Sequence, residues 1–505
     1  MGTHREIEAK LHVPPATALP DLAGLPGVAA VGPPQEFSLQ AVYWDTADLR
    51  LARAKTTLRR RAGGPDAGWH LKLPVSALER TELHVPLGPA DSDVPVELAA
   101  AVRARVRDAP LAPVVVLRTR RTVRLLRDAA GRVLAEVADD AVTSHAPGSP
   151  DVADTWREWE VELVEGDREL LSSALKLLTN AGGAIPGWSS KLARALGGRL
   201  AAAGGDPQVE QDPSAGTVLA AHLRAQRDAL LALDPQVRRD EADAVHQMRV
   251  TTRQLRSALA TFRPLLAHAR TAPVRTELGW LAGLLGAARD AEVARGRLAE
   301  LGVAEPPERV LGPVAQRLDA DRAHVYRAAR HEVLEALDSE RYFRLLDALD
   351  SLVDSPPLTK AAAGLASDVL PARVRHDWER LSRAYAAARD APRGPRHDER
   401  LHEARKSAKR ARYAAEAVVP TVGRRAASFA RAAKDLQTLL GDHHDSVELR
   451  ALLRRVGAAA HLDCEDTFTY GRLHAIEQSH AEQIEARLPA AWDRISARRR
   501  QRWMW

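Results

Sequence analysis

The chain has 505 residues, of which 45% are apolar and 28% charged, a globular composition that excludes general disorder. Its length predicts two to four domains, and its single cysteine excludes a disulfide framework or a multi-cysteine zinc site. A formal net charge of +6 favours an anionic partner. The charged N-terminus and the lack of long apolar runs predict neither a signal peptide nor a membrane span, so we expect a cytoplasmic protein without a membrane partner.

The first 200 residues have the pattern of short strands separated by turns. Runs such as REIEAKLHV, WHLKLPV and REWEVELVEG alternate between apolar and charged residues, as half-buried strands do. About eight such runs predict an antiparallel sheet or barrel. Helical patterns interrupt it near residues 94–107 and 168–181.

Charged residues on these strands fall on one face. Glu6, Glu8 and Lys10 are spaced two apart, and acids recur on the last strand whereas bases prevail on the middle strands. The simple alternative is a sheet whose charged face lies in water. A sheet that closes with this face inward would form a polar tunnel, in which cations hold phosphoryl oxygens and carboxylates hold Mg²⁺ or Mn²⁺. Such groups serve phosphoryl transfer to water, and no P-loop pattern is present.

The ordered series EIEAK, TLRRR, HLKLP, RTE, EVADD, EWEVEL and SSKLARAL resembles the CYTH family of triphosphate tunnel enzymes. This resemblance implies an eight-stranded antiparallel tunnel that hydrolyses a triphosphate, most simply inorganic triphosphate, with a divalent metal. It implies phosphate contacts from Lys10, Arg59, Arg61, Lys72, Arg80, Arg118, Arg120 and Lys191. It implies catalytic roles for Glu6, Glu8, Lys10, Glu160 and Glu162, and metal ligation by Glu6, Glu8, Glu160, Glu162 and Asp139, with Glu82 in support.

Two registers stay open within this series. Glu136, Asp139 and Asp140 compete for one inward position in EVADDAV, and Arg121 competes with its neighbours in VLRTRR. A shift of one residue along a strand moves every side chain to the other face, so alternation alone does not decide either case.

A glycine- and proline-rich segment at 197–216 predicts a domain boundary. We expect a tunnel domain at 1–200, a linker at 201–213 and a helical domain at 214–500. The later residues form long alanine-, leucine- and arginine-rich segments with helical period, which predicts an all-α domain. The predicted fold is therefore an α+β unit with an eight-stranded β-tunnel, followed by an all-α unit.

The helical half contains a repeated motif. AVHQMRVTTRQLRSAL and RLHEARKSAKRARYAAE share the pattern H-x-x-R-x-x-x-[R/K]-x-x-R, with His246 and His402 lying 156 positions apart. Further along, LLGAARD and LLGDHHD place Gly286 and Gly441 at an offset of 155. We infer an internal duplication, with two helical bundles at about 214–355 and 356–500.

Each motif places its cations on one helix face. A solvated basic face is the simple alternative, but the duplication favours two walls of a groove for a polyanion. An aromatic content of 4% favours phosphate chains over RNA or DNA, whose bases stack on aromatic side chains. We disfavour a metal at His443, His444 and Asp445, because consecutive residues do not share a helix face.

These paired motifs resemble the CHAD family of conserved-histidine α-helical domains. The resemblance implies two pseudo-symmetric bundles that bind inorganic polyphosphate. By position, it implies polyphosphate contacts from His246, Arg249, Arg253, Arg256, His402, Arg405, Lys406, Lys409, Arg410 and Arg412. Lys409 stands where the first copy has Arg253, which keeps the charge but loses the guanidinium fork.

The sequence thus predicts a two-domain phosphohydrolase whose helical half binds polyphosphate, to localise the protein on granules or to supply chain ends. The first alternative is a non-catalytic polyphosphate-binding or granule-targeting protein that keeps the tunnel only as a phosphate grip. RNA binding by the helical half ranks lower. Adenylate cyclase or thiamine triphosphatase activity also ranks lower, because we identify no base- or thiazole-recognising feature. Substrate chain length, the preferred metal, domain coupling and oligomeric state are left open.

Overall fold

The structure is a computed structural model that describes residues 2–76, 78–88, 93–201, 212–304 and 306–505. The chain divides into two compact units, Met1–Pro207 and Gln208–Trp505. The first is an antiparallel barrel with short helices, and the second is all-α. The predicted fold class is confirmed.

Eight strands close the barrel of the first unit, and a short ninth strand pairs at its edge. The strands are β1 (Gly2–Val13), β2 (Ala30–Val31), β3 (Gln35–Asp45), β4 (Thr57–Ala62), β5 (Gly68–Pro74), β6 (Glu79–Pro86), β7 (Ala112–Arg127), β8 (Val133–His145) and β9 (Val152–Leu163). The helices are α1 (Arg50–Arg53), α2 (Val96–Val106), α3 (Arg168–Asn180), α4 (Lys191–Leu196) and α5 (Gly198–Ala201). The strand order is β7-β3-β4-β5-β6-β1-β9-β8, and β8 pairs back to β7; the short β2 also pairs with β7.

Strand alternation separates the wet inside of the barrel from its dry outside. On β1, Glu8 and Lys10 line the interior, whereas Ala9 and Leu11 join a buried apolar cluster with α3. On β5, Leu71 likewise packs outward into a cluster with α2. The two helices therefore cover the apolar exterior, and the charged residues of the same strands are left to fill the interior.

Long helices build the second unit. They are α6 (Ala215–Arg238), α7 (Ala244–Thr261), α8 (His268–Ala304), α9 (Val314–Leu337), α10 (Glu340–Asp354), α11 (Ala366–Arg389), α12 (Pro395–Ala417), α13 (Val419–Val422), α14 (Arg424–Leu462), α15 (Phe468–Ser496) and α16 (Arg498–Gln501). Short 3-10 turns occur at Arg263–Leu265, Pro307–Arg309, Lys360–Ala363 and Arg502–Met504. No described helix is long and apolar enough to cross a membrane.

The helices of this unit correspond in two series. The offset of about 155 relates α6, α7, α8 and α9 to α11, α12, α14 and α15. The two helices that carry the H-x-x-R motif, α7 and α12, pack against each other. The duplication therefore brings its two cationic motifs together within the unit.

Candidate functional site

The barrel encloses a cavity of about 390 Å³, a size typical of ligand pockets. Its charged lining is Glu6, Glu8, Lys10, Arg59, Arg61, Asp66, Lys72, Arg80, Glu82, Arg121, Glu136, Glu160, Glu162 and Lys191. Most of the residues predicted for the tunnel are therefore brought together. Three predicted residues, Arg118, Arg120 and Asp139, are not in the lining.

Arg118 and Arg120 lie on the other face of β7. Both side chains are exposed, whereas Arg121 enters the cavity. The prediction that Arg118 and Arg120 face the tunnel is wrong because the register is shifted by one residue. Arg121 lies opposite Asp140 in the β7–β8 pairing and donates to both of its carboxylate oxygens, at 2.8 and 2.6 Å.

Asp139 also points away from the cavity. Its carboxylate accepts hydrogen bonds from Arg157 at 2.7 and 2.5 Å, and Arg157 also donates to the carbonyl oxygen of Thr17 at 2.6 Å. Asp139 is thus part of an external ion pair, and its assignment as a metal ligand is wrong. The inward residues of β8 are Glu136, which lines the cavity, and Asp140, which is fully buried beside it.

One acidic group of the interior is already compensated by cations. Lys191, the first residue of α4, places Nζ 2.9 Å from Asp140 Oδ2, 2.6 Å from Glu158 Oε1 and 2.5 Å from Glu160 Oε1. Arg121 contacts both Asp140 and Glu160. The oxygens of these three acids lie within 4.8 Å of one another. A metal at this point would have to displace Lys191.

A second acidic group is less completely compensated. Lys72 Nζ lies 2.5 Å from Glu6 Oε1, and Lys10 Nζ lies 3.1 Å from Glu8 Oε2. The remaining oxygens, Glu6 Oε2 and Glu8 Oε1, are buried and accept no hydrogen bond from any described residue. Arg80 approaches Glu8 Oε1 only to 3.7 Å. Buried carboxylate oxygens without donors are unfavourable, so they suit an added cation.

Glu162 extends this second group. Burial and then the charge of Glu6 raise the pKa of Glu162 to about 8, although Lys72 opposes the shift. At Glu8, by contrast, burial is outweighed by Lys10 and Lys72, which lower its pKa. A divalent cation near Glu6, Glu8 and Glu162 would relieve the repulsion, and carboxylate oxygens are the ligands that Mg²⁺ and Mn²⁺ prefer. The residues present therefore fit such a metal.

The arginines of β4 lie across the barrel from β9, the strand that carries Glu162. Three strands separate β4 from β9 in either direction around the barrel. On β4, Arg59 donates to the hydroxyl of Tyr43 at 3.4 Å, and Arg61 pairs with Asp66. Burial and then the charges of Arg59 and Arg121 lower the pKa of Arg61. This clustering of guanidinium groups favours an anion in the cavity.

In the helical unit, the first arginine of each H-x-x-R motif is paired with the aspartate of the LLGAARD or LLGDHHD motif of the same copy. Arg249 on α7 donates to Asp290 on α8 at 2.9 Å, and Arg405 on α12 lies 3.6 Å from Asp445 on α14. The two pairs occupy equivalent positions in the two copies. The two motifs therefore recur together because, in each copy, the arginine of one contacts the aspartate of the other.

The glycines of LLGAARD and LLGDHHD lie beneath these arginines. A Cβ atom at Gly286 would lie 3.6 Å from the guanidinium of Arg249, and one at Gly441 would lie 3.5 Å from that of Arg405. Each guanidinium therefore lies close against the bare backbone of the facing helix.

Four cations converge where α7 meets α12, and we call this set the cationic face: Arg249, Arg253, Arg405 and Lys409. Burial and then the charges of Arg253 and Arg405 lower the pKa of Lys409 to about 6. Burial and repulsion likewise lower the pKa of Arg253, which has no carboxylate partner among the described residues. Such mutual repulsion is relieved by a bound polyanion.

The other predicted contacts have different surroundings. Arg410 Nε lies 2.7 Å from the buried Asp377 on α11, outside the set of four cations. Arg412 bonds Glu416 on its own helix and Gln437 on α14. Lys406 is exposed and pairs with Glu403, and Arg256 is exposed beside Gly279.

The motif histidines flank the cationic face. His402 Nδ1 lies 3.2 Å from His444 Nδ1, and burial followed by Arg405 lowers the pKa of His444 to about 3. His246 is next to Arg289, the residue equivalent to His444, and burial and this arginine lower its pKa. Burial and then Lys406 and Arg405 likewise lower the pKa of His402, and a bound anion would favour protonation of both motif histidines.

Comparison with known proteins accounts for both halves. The sequence profile of the CYTH domain family matches residues 4–195, and that of the CHAD domain family matches residues 221–454. The chain is a CYTH–CHAD protein. It is 42% identical over 504 residues to the uncharacterized proteins MT2285 and Rv2226 from two strains of Mycobacterium tuberculosis, over 97% of this chain and 96% of each relative.

Two solved structures are similar to part of this CYTH–CHAD protein. PptA from Streptomyces chartreusis is 25% identical, covers 56% of this chain and all of its own, and has a TM-score of 0.47. The CHAD domain from the plant Ricinus communis is 24% identical, covers 57% of this chain and 94% of its own, and has a TM-score of 0.46. CYTH proteins are metal-dependent triphosphate tunnel enzymes, and the barrel of this CYTH–CHAD protein is a tunnel of that type.

Sequence reasoning left Arg121 and Asp140 of the CYTH–CHAD protein as open alternatives and assigned no role to Glu158 or Tyr43. Arg121, Asp140 and Glu158 belong to the compensated group, and Tyr43 supports Arg59. Glu158 and Glu160 are two residues apart on β9, a spacing that indicates the same inward face. Arg121 alternates with mostly apolar residues of β7, which indicates that it shares their inward face.

Proposed function

We propose that the barrel hydrolyses a linear triphosphate, with inorganic triphosphate as the first candidate, to pyrophosphate and phosphate. The observation that supports this most is that one cavity holds both carboxylates with uncompensated oxygens, on Glu6 and Glu8, and guanidinium groups that repel one another. The carboxylates would hold the metal, and the cations would bind the phosphoryl oxygens. The reaction needs only water as its second reactant.

The residues divide into three roles in this proposal. Glu6, Glu8 and Glu162 would hold Mg²⁺ or Mn²⁺, which when bound neutralises phosphoryl charge. The phosphoryl oxygens would be bound by Arg59, Arg61, Lys72, Arg80, Arg121 and Lys10. One of the carboxylates that hold the metal would orient the attacking water. Glu160, which we expected among the metal ligands, bonds Lys10 and Lys191 and is assigned to orienting these cations.

An organic triphosphate is the second candidate substrate. Part of the cavity is lined by Phe37, Leu39, Val123 and Leu125, which could contact a base or another ring. Phosphate release by the whole chain from tripolyphosphate, ATP, thiamine triphosphate and long-chain polyphosphate, each with Mg²⁺ or Mn²⁺, tests the choice. We expect the highest kcat/KM on tripolyphosphate. A preference for ATP or thiamine triphosphate would assign the apolar lining to substrate recognition instead.

For the helical unit, we propose polyphosphate binding at the cationic face. The support is the convergence of four cations where α7 packs against α12, because cations held together favour a dense anion. Binding to polyphosphate and to RNA should be compared at equal phosphate concentration and fixed salt. Tighter RNA binding would overturn this assignment. Tight polyphosphate binding with no turnover of any triphosphate would favour a non-catalytic binding protein.

A further inference from the structure

A polar cluster outside the cationic face joins three helices of the second copy. His443 on α14 is buried, with 1% of its surface exposed. Its Nε2 lies 3.1 Å from Glu485 Oε1 on α15 and 3.7 Å from Asp398 Oδ1 on α12. The three side chains have ligand atoms within 4.8 Å of one another. Each helix therefore contributes one atom that could bind a metal.

A second histidine is oriented toward the same cluster. His397 Nε2 lies 3.8 Å from Glu485 Oε2, and its Nδ1 lies 3.0 Å from the carbonyl oxygen of Ala388. His397 therefore lies behind Glu485, where it can position that carboxylate rather than bind the ion itself.

The spacing of these atoms suits a tetrahedral ion. Zinc–ligand bonds of about 2.0–2.1 Å place neighbouring ligand atoms of a tetrahedral site about 3.3–3.4 Å apart. The separations of 3.1 and 3.7 Å between His443 Nε2 and the two carboxylates lie on either side of this value. Three protein ligands would leave the fourth position of a tetrahedral ion for water.

The duplication shows that this cluster is specific to the second copy. The residues equivalent to His443 and Asp398 in the first copy are Ala288 and Ala242. Ala288 is fully buried, so the packing at this position is satisfied by an apolar methyl group in the first copy. The second copy instead buries an imidazole beside two carboxylates, which bundle packing alone does not require.

The competing arrangement is a purely internal ion pair. A protonated His443 could bond both carboxylates, and Arg450 lies 3.9 Å from Asp398 while the exposed Arg393 lies 3.6 Å from Glu485. The first copy has alanine at the positions of both His443 and Asp398, so the bundle does not need this ion pair for its packing. One imidazole and two carboxylates are ligand types that a zinc ion accepts.

We propose that Asp398, His443 and Glu485 bind one Zn²⁺ ion that fastens α12, α14 and α15 together. Imidazole nitrogen selects zinc over Mg²⁺, which prefers oxygen ligands alone. The site lies wholly within the helical unit and does not depend on the function proposed for the barrel.

Zinc binding to the whole chain tests this site. The protein should be freed of metal with a chelator and equilibrated with buffered Zn²⁺ in excess Mg²⁺, which competes for the all-oxygen barrel site. Elemental analysis should show one zinc per chain that Glu485→Gln loses. Loss of a residue that hydrogen-bonds to a metal ligand weakens metal binding ~10–100-fold, so loss of a direct ligand should weaken it more. Replacement of zinc by Co²⁺ should give the strong visible absorption of a four-coordinate ion.

Matched variants separate this zinc from other binding. Glu6→Gln/Glu8→Gln changes the barrel only and should keep the ion. His331→Gln removes an exposed histidine 3.3 Å from Glu335 and should also keep it. If Glu485→Gln does not fold by circular dichroism, Asp398→Asn serves instead. No zinc on the wild-type chain, or equal zinc affinity in the folded site variants, would overturn the proposal in favour of the ion pair.

Discussion

The adjacent residues Arg120 and Arg121 are both arginines, but only Arg121 faces the inside of the barrel. Its guanidinium bonds Asp140 at 2.8 and 2.6 Å and contacts Glu160 inside the barrel, whereas Arg120 is exposed outside it. A guanidinium holds a phosphoryl group with two parallel hydrogen bonds, as it holds a carboxylate. Arg121 can therefore turn from its carboxylate partners to an incoming triphosphate.

The two adjacent arginines give a matched pair of variants. Arg121→Gln should lower kcat for tripolyphosphate by about 10²–10³-fold, the usual cost of removing one stabilising donor from an active site. Arg120→Gln removes the same charge from the exterior and should leave kcat within a factor of two, or about 0.4 kcal/mol. Steady-state phosphate release measures both. Equal losses in the two variants would mean that net charge, rather than the interior position of the guanidinium, matters.

Lys409 makes the stability of the helical unit depend on pH. Its pKa of about 6 lies below the ordinary lysine value of 10.5, so the unfolded chain binds more protons between these values. The cost of burying Lys409 is therefore fully present below about pH 6 and declines as pH rises toward 10.5.

Lys409→Met should consequently raise the free energy of unfolding of the helical unit at pH 7, and this gain should shrink toward pH 10. Urea unfolding followed by circular dichroism at the two pH values measures it. Lys406→Met, an exposed change on the same helix, should give no gain. A gain for Lys409→Met that stays constant or grows with pH would contradict the assigned titration.

At the scale of single elements, the side chain of Arg194 holds α4 against its neighbours, together with the buried Leu192 and Leu196. Arg194 lies between the rings of Trp156 and Trp188, 4.7 and 4.5 Å from their centroids, and its Nε is 3.0 Å from Asp154. The helix begins at Lys191, the residue that enters the barrel. The clamp on Arg194 thus fixes the direction from which Lys191 reaches the acids.

Arg194→Ala should destabilise the barrel unit by about 1–2 kcal/mol because the cation–π stacking is removed, and should lower kcat as Lys191 loses its position. Arg194→Lys keeps the charge near Asp154 but not the planar stacking, and should recover only part of both effects. Urea unfolding together with phosphate release tests this. Full activity in Arg194→Ala would show that α4 is held without the clamp.

The helix pair α7–α12 is the second element that a variant can test. Arg253→Gln/Arg405→Gln removes one cation from each copy of the motif and should weaken polyphosphate binding. The slope of log affinity against log salt should fall by about one for each phosphate-binding cation removed. Arg344→Gln on α10 changes an exposed cation paired with Glu340 and serves as the control. An unchanged slope in the double variant would place the polyanion elsewhere.

Strand patterns predicted β1 and β9 correctly but not β7 and β8. From Glu6 onward the acids and the lysine of β1 share one parity, so Glu6, Glu8 and Lys10 could be placed from spacing alone. In β7 arginines occur on both parities, and the exposed face carries more of them than the interior does. Whether an arginine faces water or an enclosed polar cavity depends on closure of the sheet, which no local pattern encodes.

At the scale of the whole chain, the sequence was most informative where it repeats itself. The two offsets of 156 and 155 predicted a duplicated helical unit, and the contacts of Arg249 and Arg405 are equivalent in the structure. The repeat could not predict where the copies diverge in use. In the sequence, His443 is one residue of the polar run DHHD. Its contacts with Asp398 and Glu485 depend on the packing of α12, α14 and α15, which the sequence pattern does not show.

The central claim is that the carboxylates and cations inside the barrel together hydrolyse a triphosphate. The most direct test is Mg²⁺- or Mn²⁺-dependent phosphate release from tripolyphosphate by the whole chain, compared with Glu6→Gln/Glu8→Gln. We predict metal-dependent turnover that falls by at least about 10³-fold in the double variant while the fold is retained. Absence of turnover in the wild-type chain with either metal, or equal turnover in the double variant, would contradict the account.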